Sequence, residues 1–262
     1  MGWDEQSEGK SGATVFGGRP TVLGHRGLGR GPGENTRETL RQAVAVGLRW
    51  VETDVRRTAD DELVVGHFPT WEDGSFVAQL SLGQARELGA CTLAEYVGDL
   101  PAGIGVNLDV KSCLEDALRP ADETTAGLLA PLAEDLAGQR PVLATSFDPA
   151  ALLGLRAAAP GLSLGLLTWV GFPLRKAVPA AVHLGVDVLA AHWTSFGPNE
   201  VDRAPVHAPP KESIAVAHEA GLEVVVWCPD VEQARELLQD GADAVVVDDV
   251  PRMLPSLRGL AD

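Results

Sequence analysis

Residues 211–248, KESIAVAHEAGLEVVVWCPDVEQARELLQDGADAVVVD, decide the fold class of this chain. Two stretches with helical character, Lys211–Ala220 and Val231–Gln239, are each followed closely by a glycine and a short apolar run. The runs, Glu223–Trp227 and Ala244–Val247, have the length and composition of buried strands. Glycine often ends a helix because it adopts a left-handed backbone without strain. Strands that alternate with helices run parallel and are joined by right-handed crossovers, so this stretch predicts an α/β fold.

The same alternation covers most of the chain. Predicted strands are Thr21–Gly24, Arg49–Val55, Leu63–Gly66, Gly103–Val110, Val142–Ser146, Ser163–Thr168, Val186–Ala190, Glu223–Trp227 and Ala244–Val247. Predicted helices are Thr36–Val46, Leu82–Leu88, Leu93–Val97, Asp122–Ala137, Pro149–Ala158, Pro173–Leu184, Lys211–Ala220, Val231–Gln239 and Arg252–Leu257. Eight or nine strands at this length fit a closed (β/α)₈ TIM barrel of about 250 residues, and a doubly wound open sheet is the alternative. We expect one catalytic barrel domain at residues 20–262 after a flexible tail at residues 1–19.

Composition and charge exclude several classes of function. The formal net charge is −16 and no run of Lys or Arg forms a basic patch, so nucleic acids are not expected partners. No apolar run reaches the roughly 20 residues of a transmembrane helix, and the N-terminus lacks signal-peptide character. We therefore expect a cytoplasmic location without a stable membrane anchor. Three scattered cysteines are too few for a disulfide framework or a zinc site: Cys91, Cys113 and Cys228.

Two carboxylates share one face of a predicted strand in Val51-Glu52-Thr53-Asp54-Val55. Side chains alternate along a strand, so Glu52 and Asp54 point in the same direction. Neighbouring carboxylates repel each other, and inside a barrel each also loses its water, which is costly unless a cation compensates. The pair therefore indicates a metal ion, or a Lys or Arg side chain, on that face. An edge strand that turns its polar face to water is the alternative.

A second strand, Asn107-Leu108-Asp109-Val110-Lys111, repeats this pattern. Asn107, Asp109 and Lys111 share one face, so Asp109 can supply a third carboxylate oxygen and Lys111 a fixed positive charge. Three carboxylates without a nearby cysteine form an all-oxygen site, which suits Mg²⁺ or Ca²⁺ better than zinc. A buried Asp–Lys ion pair without a catalytic role is the alternative.

Two histidines follow predicted strands, at the ends where α/β barrels carry their chemistry. His25 and Arg26 follow the first strand, and His67 follows the strand Leu63–Gly66. Imidazole titrates near neutral pH, and a guanidinium binds phosphate oxygens with a planar set of donors. Cleavage of a phosphodiester needs a base for the nucleophile and an acid for the leaving oxygen, which two histidines can supply. The remaining histidines are interpreted as structural: His183, His192, His207 and His218.

Taken together, these motifs resemble the glycerophosphodiester phosphodiesterase family. The matching pieces, in chain order, are His25-Arg26-Gly27, Glu34-Asn35-Thr36, Glu52-Thr53-Asp54-Val55, Gly66-His67 and Asn107-Leu108-Asp109-Val110-Lys111. Weaker matches are Thr92-Leu93-Ala94-Glu95, Val226-Trp227 and the segment from Asp248 to Pro251. The order and spacing of the pieces carry the resemblance, which covers nearly the whole chain.

The resemblance implies a barrel enzyme that hydrolyses small-molecule glycerophosphodiesters to glycerol 3-phosphate and an alcohol. One divalent cation is implied, with Mg²⁺ and Ca²⁺ as the expected ions and Mn²⁺ as a further candidate. By position, the residues that resemble the family's site are the metal ligands Glu52, Asp54 and Asp109, the acid/base pair His25 and His67, the phosphate-binding cations Arg26 and Lys111, and the pocket aromatic Trp227.

The expected mechanism uses the two histidines in turn. One deprotonates the glycerol 2-hydroxyl, which attacks phosphorus, and the other protonates the leaving alcohol; water then opens the cyclic phosphate with the roles reversed. The chain departs from the family at four places. Asp109 stands where the family often has Glu, Phe68 where it usually has Asp, Gly33 at the position of a Pro, and Cys228 where it tends to have Thr.

Three other functions fit parts of this pattern. Lys111 at a strand end is compatible with a Schiff-base aldolase that needs no metal. Phe68 and Asp109 are compatible with a degenerate barrel that binds a phosphodiester without turnover. A lysophospholipase D, or another diesterase on the same core, would use the same catalytic residues.

Overall fold

The strands of the chain lie in one sheet that closes on itself. The computed structural model describes residues 14–31 and 33–261. The strands in that part of the chain are β1 (Thr21–Gly24), β2 (Trp50–Arg57), β3 (Leu63–Val65), β4 (Gly105–Val110), β5 (Val142–Ser146), β6 (Ser163–Leu167), β7 (Val188–His192), β8 (Glu223–Trp227) and β9 (Ala244–Val247). All except β3 pair in parallel around a ring, and the β1–β9 pairing closes it. The predicted (β/α)₈ barrel is confirmed, and the open sheet is excluded.

One predicted strand, β3, lies outside the ring. It pairs antiparallel with the end of β2, with Val55 opposite Val65 and Arg57 opposite Leu63. The alternation of strand and helix fails here because a short connection can only form a hairpin, whereas parallel strands need a long crossover. Since β3 runs back along β2, the Gly66 N–H reaches the carbonyl oxygen of Asp54 at 3.1 Å. This turn places His67, the residue that follows Gly66, next to the face of β2 that carries Glu52 and Asp54.

Helices connect the ring strands and cover the barrel. Within the described residues they are α1 (Arg37–Ala45), α2 (Leu82–Glu87), α3 (Leu93–Gly98), α4 (Thr125–Ala137), α5 (Pro149–Ala158), α6 (Leu174–Leu184), α7 (Pro210–Glu219), α8 (Val231–Gln239) and α9 (Val250–Leu257). Side-chain capping boxes at Thr36, Ser81, Thr92 and Asp230 start four of them. Gly185 ends α6 at φ 67°, a left-handed backbone that favours glycine at the end of a helix. In the part of the chain described, no helix is both long and apolar enough to cross a bilayer.

The core has two layers that follow from strand alternation. Outward side chains such as Val22 and Leu108 pack with the helices in one large cluster. Inward side chains such as Leu23, Leu143 and Val188 meet in a second cluster, although their strands are not neighbours. The second cluster therefore fills the interior of the barrel, as expected for a packed α/β barrel.

The segment before β1 also contributes to this interior layer. Phe16 is 6% exposed, and its ring centroid lies 5.0 Å from that of Trp50. The N–H groups of Val15 and Phe16 donate to the Glu223 carboxylate at 2.5 and 3.3 Å. Most of the predicted tail, residues 1–13, lies outside the described residues. Contacts with the barrel begin before the predicted domain boundary at residue 20, because Phe16 covers the N-terminal end of the interior.

Candidate active site

Three carboxylates meet inside the barrel near the C-terminal ends of β2 and β4. The strand register places Asp54 directly opposite Asp109. One carboxylate oxygen from each of Glu52, Asp54 and Asp109 lies within 4.8 Å of the other two. All three side chains are buried, with relative exposures of 4%, 0% and 6%. The structure therefore brings together the three residues predicted as metal ligands, here named the acidic cluster.

Burial and mutual repulsion decide the charges of the acidic cluster. Burial, and then the charges of Asp54 and Asp109, raises the pKa of Glu52 well above its usual value. Burial also raises the pKa of Asp109, although Lys111 opposes this shift. For Asp54, the effect of burial is outweighed by a hydrogen bond from His67 and by the charge of Lys111, so its pKa lies well below the usual range. A divalent cation would favour the charged forms of Glu52 and Asp109.

The two carboxylate oxygens of Asp109 differ in their contacts. Asp109 Oδ1 is buried and has no hydrogen-bond partner among the residues described, while Oδ2 contacts the Lys111 ammonium. A buried acceptor without a donor costs free energy, and a cation would satisfy it. A donor set made only of carboxylate oxygens suits hard ions. The residues of the acidic cluster thus fit a divalent cation.

Lys111 faces the acidic cluster from the end of β4. Its ammonium lies 2.9 Å from Asp54 Oδ1 and also contacts Asp109. Burial would lower the pKa of Lys111, but the charges of Asp109 and Asp54 outweigh it and raise the pKa above its usual value. A Schiff-base lysine needs a neutral amine. This environment keeps Lys111 charged and argues against the aldolase alternative.

Arg26 lies beside the same carboxylates on the loop after β1. A side chain at Gly24 would overlap the Gly27 carbonyl oxygen, at 1.9 Å, so glycine is needed for this tight loop. Arg26 has a left-handed backbone with φ 52°, and its N–H donates to Glu52 Oε2 at 2.8 Å. Its guanidinium lies 2.5 Å from Glu34 and 3.3 Å from Asp54. Two carboxylates therefore hold this predicted phosphate-binding cation in the cavity wall.

His25 is held between two carboxylates. Its Nδ1 lies 2.5 Å from Asp248 Oδ1, and its Nε2 lies 3.8 Å from Glu52 Oε2. The pairing arises at the closing seam of the barrel, where Gly24 and Val247 are register partners. A carboxylate at Nδ1 fixes the orientation of an imidazole and leaves Nε2 for proton transfer.

His67 is held in the same way by Asp54. Its Nδ1 lies 3.1 Å from Asp54 Oδ1, and its backbone carbonyl accepts two hydrogen bonds from Arg56, at 2.6 and 3.1 Å. Asn35 donates to the other Asp54 oxygen at 2.8 Å. Both predicted acid/base residues therefore lie beside the acidic cluster, each with a carboxylate at Nδ1.

The site opens into a cavity of about 610 Å³ at the C-terminal end of the barrel. His25, His67 and Lys111 line the cavity. Trp227 and Trp169 also line it, and the ring of Phe147 stacks on Trp169 at 4.5 Å. The predicted residues other than Asp54 thus line one cavity, in which charged groups lie beside aromatic side chains that include Trp227.

Sequence reasoning assigned no role to four side chains that position the site. Glu34 and Asn35 belong to a motif that was recognised, but only the fold shows that they contact Arg26 and Asp54. Arg56 follows Glu52 and Asp54 on the inward face of β2, so strand alternation alone could have indicated it. Asp248 belongs to one of the weaker matching segments, yet its contact with His25 depends on ring closure.

The other histidines contact groups outside the acidic cluster, and their interpretation as structural residues stays a prediction. His183 Nδ1 lies 2.6 Å from the Pro179 carbonyl oxygen, and His218 Nε2 lies 2.8 Å from Asp243 Oδ2. His192 Nδ1 contacts the Thr194 hydroxyl at 2.7 Å. The fourth, His207, lies 3.9 Å from Asp202.

Comparison with known proteins agrees with the geometry. The curated glycerophosphodiester phosphodiesterase of Caldanaerobacter subterraneus subsp. tengcongensis is 24% identical over 258 residues, which cover 90% of this chain and 97% of that protein. A candidate glycerophosphodiester phosphodiesterase from Galdieria sulphuraria superimposes with a TM-score of 0.75 and 25% identity, covering 91% of this chain and 97% of that one.

A third similar structure is an Oleispira antarctica phosphodiesterase in complex with the product sn-glycerol-3-phosphate. It has a TM-score of 0.72 and 23% identity, covering 94% of this chain and 99% of that one. The model of the glycerophosphoryl diester phosphodiesterase family matches residues 25–252, which include every residue of the site described above. The chain therefore belongs to the glycerophosphoryl diester phosphodiesterase family.

Proposed function

We propose that this protein hydrolyses glycerophosphodiesters to glycerol 3-phosphate and an alcohol, with one divalent cation and His25 and His67 as the acid/base pair. One observation carries the proposal: two imidazoles, each with a carboxylate at Nδ1, flank the acidic cluster in a single cavity. Family membership supports the reaction class. The product bound to the Oleispira antarctica relative supports a small glycerol phosphate ligand.

The acidic cluster would hold the cation through oxygens of Glu52, Asp54 and Asp109. Its oxygen donors favour Mg²⁺ or Ca²⁺, and Mn²⁺ is compatible with them. When bound, such an ion offsets the negative charge that develops on the phosphoryl oxygens. Support comes from the buried Asp109 oxygen that has no hydrogen-bond partner in the described part of the chain. It also comes from the raised pKa of Glu52, which burial and neighbouring carboxylates produce.

The cationic side chains and the imidazoles of the chain supply the other groups that the reaction needs. Arg26 and Lys111, both held by carboxylates, bind the phosphodiester oxygens at fixed positions without a reorganisation cost. One imidazole accepts the proton of the glycerol 2-hydroxyl as that oxygen bonds to phosphorus. The other gives its proton to the alcohol oxygen as the phosphorus–oxygen bond breaks. Water then opens the cyclic diester while each histidine, His25 or His67, regains its starting state.

The rim of the cavity favours a second class of substrate for the same type of hydrolysis. Phe68 and Trp169 line the cavity and remain 64% and 66% exposed. Exposed aromatic side chains at a cavity mouth can cover an apolar part of a ligand. A glycerol phosphate that carries an acyl chain, as in the lysophospholipase D reaction, would place that chain against these exposed aromatic side chains rather than against the charged groups.

A substrate panel tests the proposal directly. Glycerophosphocholine, glycerophosphoethanolamine, glycerophosphoinositol and a lysophosphatidylcholine are assayed for release of glycerol 3-phosphate or lysophosphatidate, with Mg²⁺, Ca²⁺, Mn²⁺ or EDTA. Hydrolysis with a metal ion and its loss in EDTA are expected. Full activity in EDTA would contradict the metal requirement. Undetectable hydrolysis, together with measurable binding of glycerol 3-phosphate, would instead indicate a binding protein without turnover.

A further inference from the structure

Cys228, His25 and Asp248 form a second group of metal-binding side chains, separate from the acidic cluster. One ligand atom of each lies within 4.8 Å of the other two. The Cys228 Sγ lies 3.6 Å from His25 Nδ1 and 3.4 Å from Asp248 Oδ1. A thiolate, an imidazole and a carboxylate are ligand types of protein zinc sites. Sequence reasoning excluded zinc because the cysteines are scattered, but ring closure places one of them beside a histidine and an aspartate.

Two of the three separations between ligand atoms match those of a tetrahedral site. Zinc lies about 2.3 Å from sulfur, about 2.0–2.1 Å from nitrogen and about 2.0–2.2 Å from oxygen, which separates sulfur from either other ligand by about 3.6 Å. The observed separations from Cys228 Sγ are 3.6 and 3.4 Å. Only the contact between His25 Nδ1 and Asp248 Oδ1 must widen, from 2.5 Å to about 3.4 Å.

The backbone holds the thiol in this position. Cys228 has a left-handed backbone with φ 56°, and its N–H donates to the Val246 carbonyl at 2.9 Å. The residue lies on the cavity wall together with His25, so an ion can enter from the cavity. Since His25 turns its other nitrogen, Nε2, towards Glu52, the two groups of ligands use opposite sides of the ring.

We propose that Cys228, His25 Nδ1 and Asp248 bind a thiophilic divalent ion such as Zn²⁺ or Cd²⁺, and that this binding inhibits the enzyme. The thiol loses its proton to solvent when the metal–sulfur bond forms. On His25, the Nδ1 lone pair goes to the metal, so the ring proton resides on Nε2. Proton transfer at Nε2 needs a ring that alternates between neutral and protonated forms, and a metal on Nδ1 blocks the protonated form.

A binding experiment tests the site without relying on catalysis. The full chain is titrated with Cd²⁺ in excess Mg²⁺, and the ultraviolet absorption of thiolate-to-metal charge transfer is recorded. The matched control is the double variant C91S/C113S, in which Cys228 is the remaining cysteine of the chain. We expect the absorption band in the wild type and in the control, and its loss in C228S. The affinity of C228S for Zn²⁺, measured by competition, should be weaker than that of the wild type by about 10-fold or more. Absence of the band in the wild type, or its persistence in C228S, would overturn the proposal.

The inhibitory effect rests on the proposed hydrolysis and has its own test. The ratio of rates with and without Zn²⁺ is measured within each variant at excess Mg²⁺. Zinc should inhibit the wild type and C91S/C113S but have little effect on C228S. Equal inhibition of the wild type and C228S would overturn the inhibitory role, because zinc would then act at the acidic cluster. If no diester is hydrolysed, the proposed function fails while the Cd²⁺ titration still decides the metal site.

Discussion

Replacing Asp248 by Asn removes the negative charge beside His25 while it keeps the size of the side chain. Asp248 Oδ1 lies 2.5 Å from His25 Nδ1, and the opposite nitrogen faces Glu52 at 3.8 Å. A carboxylate at Nδ1 holds the ring proton there, so Nε2 carries the lone pair. A carboxamide can turn its NH₂ group towards Nδ1 and favour the other tautomer. The D248N variant therefore tests whether His25 depends on its partner.

The structure sets limits on the size of the effect. A hydrogen bond to a charged group contributes roughly 1.5–3 kcal/mol, which corresponds to roughly 10- to 150-fold in rate. The His25 and Asp248 side chains are 13% and 32% exposed, so water can replace part of the lost contact. Loss of the required tautomer adds to this, and the corresponding change in a serine-protease triad costs about 10⁴-fold. We expect kcat to fall by about 10-fold to 10⁴-fold with a small change in KM.

Steady-state kinetics with a glycerophosphodiester would measure kcat and KM, and ¹⁵N NMR of the imidazole would report the His25 tautomer. The matched control is D249N. Asp249 caps α9 by accepting from the Arg252 N–H at 3.1 Å, and Asn caps a helix equally well. A fall in the kcat of D248N smaller than about threefold is less than the loss of even a weak hydrogen bond to a charged group would cause, and it would refute the reasoning. An equal loss in D249N would do the same, because the effect would then come from the loop.

Three further predictions concern the histidines, the acidic cluster and the core. H25A and H67A should each lower kcat by about 10²–10⁴-fold. The affinity of each variant for glycerol 3-phosphate is measured as a check on binding. A fall in kcat below about threefold in both variants would contradict the acid/base assignment. D109N should raise the metal concentration needed for half-maximal rate by at least about 10-fold in a metal titration, and an unchanged titration would remove Asp109 from the ligand set. Leu108 is fully buried against the helices. L108A should lower the free energy of unfolding in urea by about 2–5 kcal/mol, and a loss well below this range would indicate that the core collapses around the truncated side chain.

Much of the fold could be predicted because its signals are local. Alternating apolar runs and glycine stops identified the ring strands, and Gly185 has the left-handed backbone that a helix stop requires. The exception is β3, where an apolar run looks the same whether its strand is parallel or antiparallel. The packing of Phe16 was also missed, because a single aromatic residue in a polar segment has no periodicity to reveal its burial.

The site was predictable to the extent that its residues share a strand face. Glu52 and Asp54 follow from alternation within β2. The proximity of Asp109 to Asp54 does not follow in the same way, because β4 pairs with β2 only when β3 leaves the ring. The roles of individual residues were harder to predict than their positions. The guanidinium of Arg56 forms no ion pair within residues 14–31 and 33–261, and its donors hold the His67 carbonyl, a contact that no motif shows.

Each catalytic candidate histidine is held by a carboxylate, but different parts of the fold bring the two histidine–carboxylate pairs together. His67 and Asp54 are 13 residues apart, and one hairpin brings them together. His25 and Asp248 are 223 residues apart. They meet because β1 pairs with β9, and the His25 N–H then donates to the Val247 carbonyl at 3.1 Å. A barrel with an open seam would retain the His67 pair but lose the His25 pair. The proposed acid/base catalysis by both imidazoles would therefore require closure of the whole ring, and the stability of the β1–β9 seam would then also be a requirement for activity.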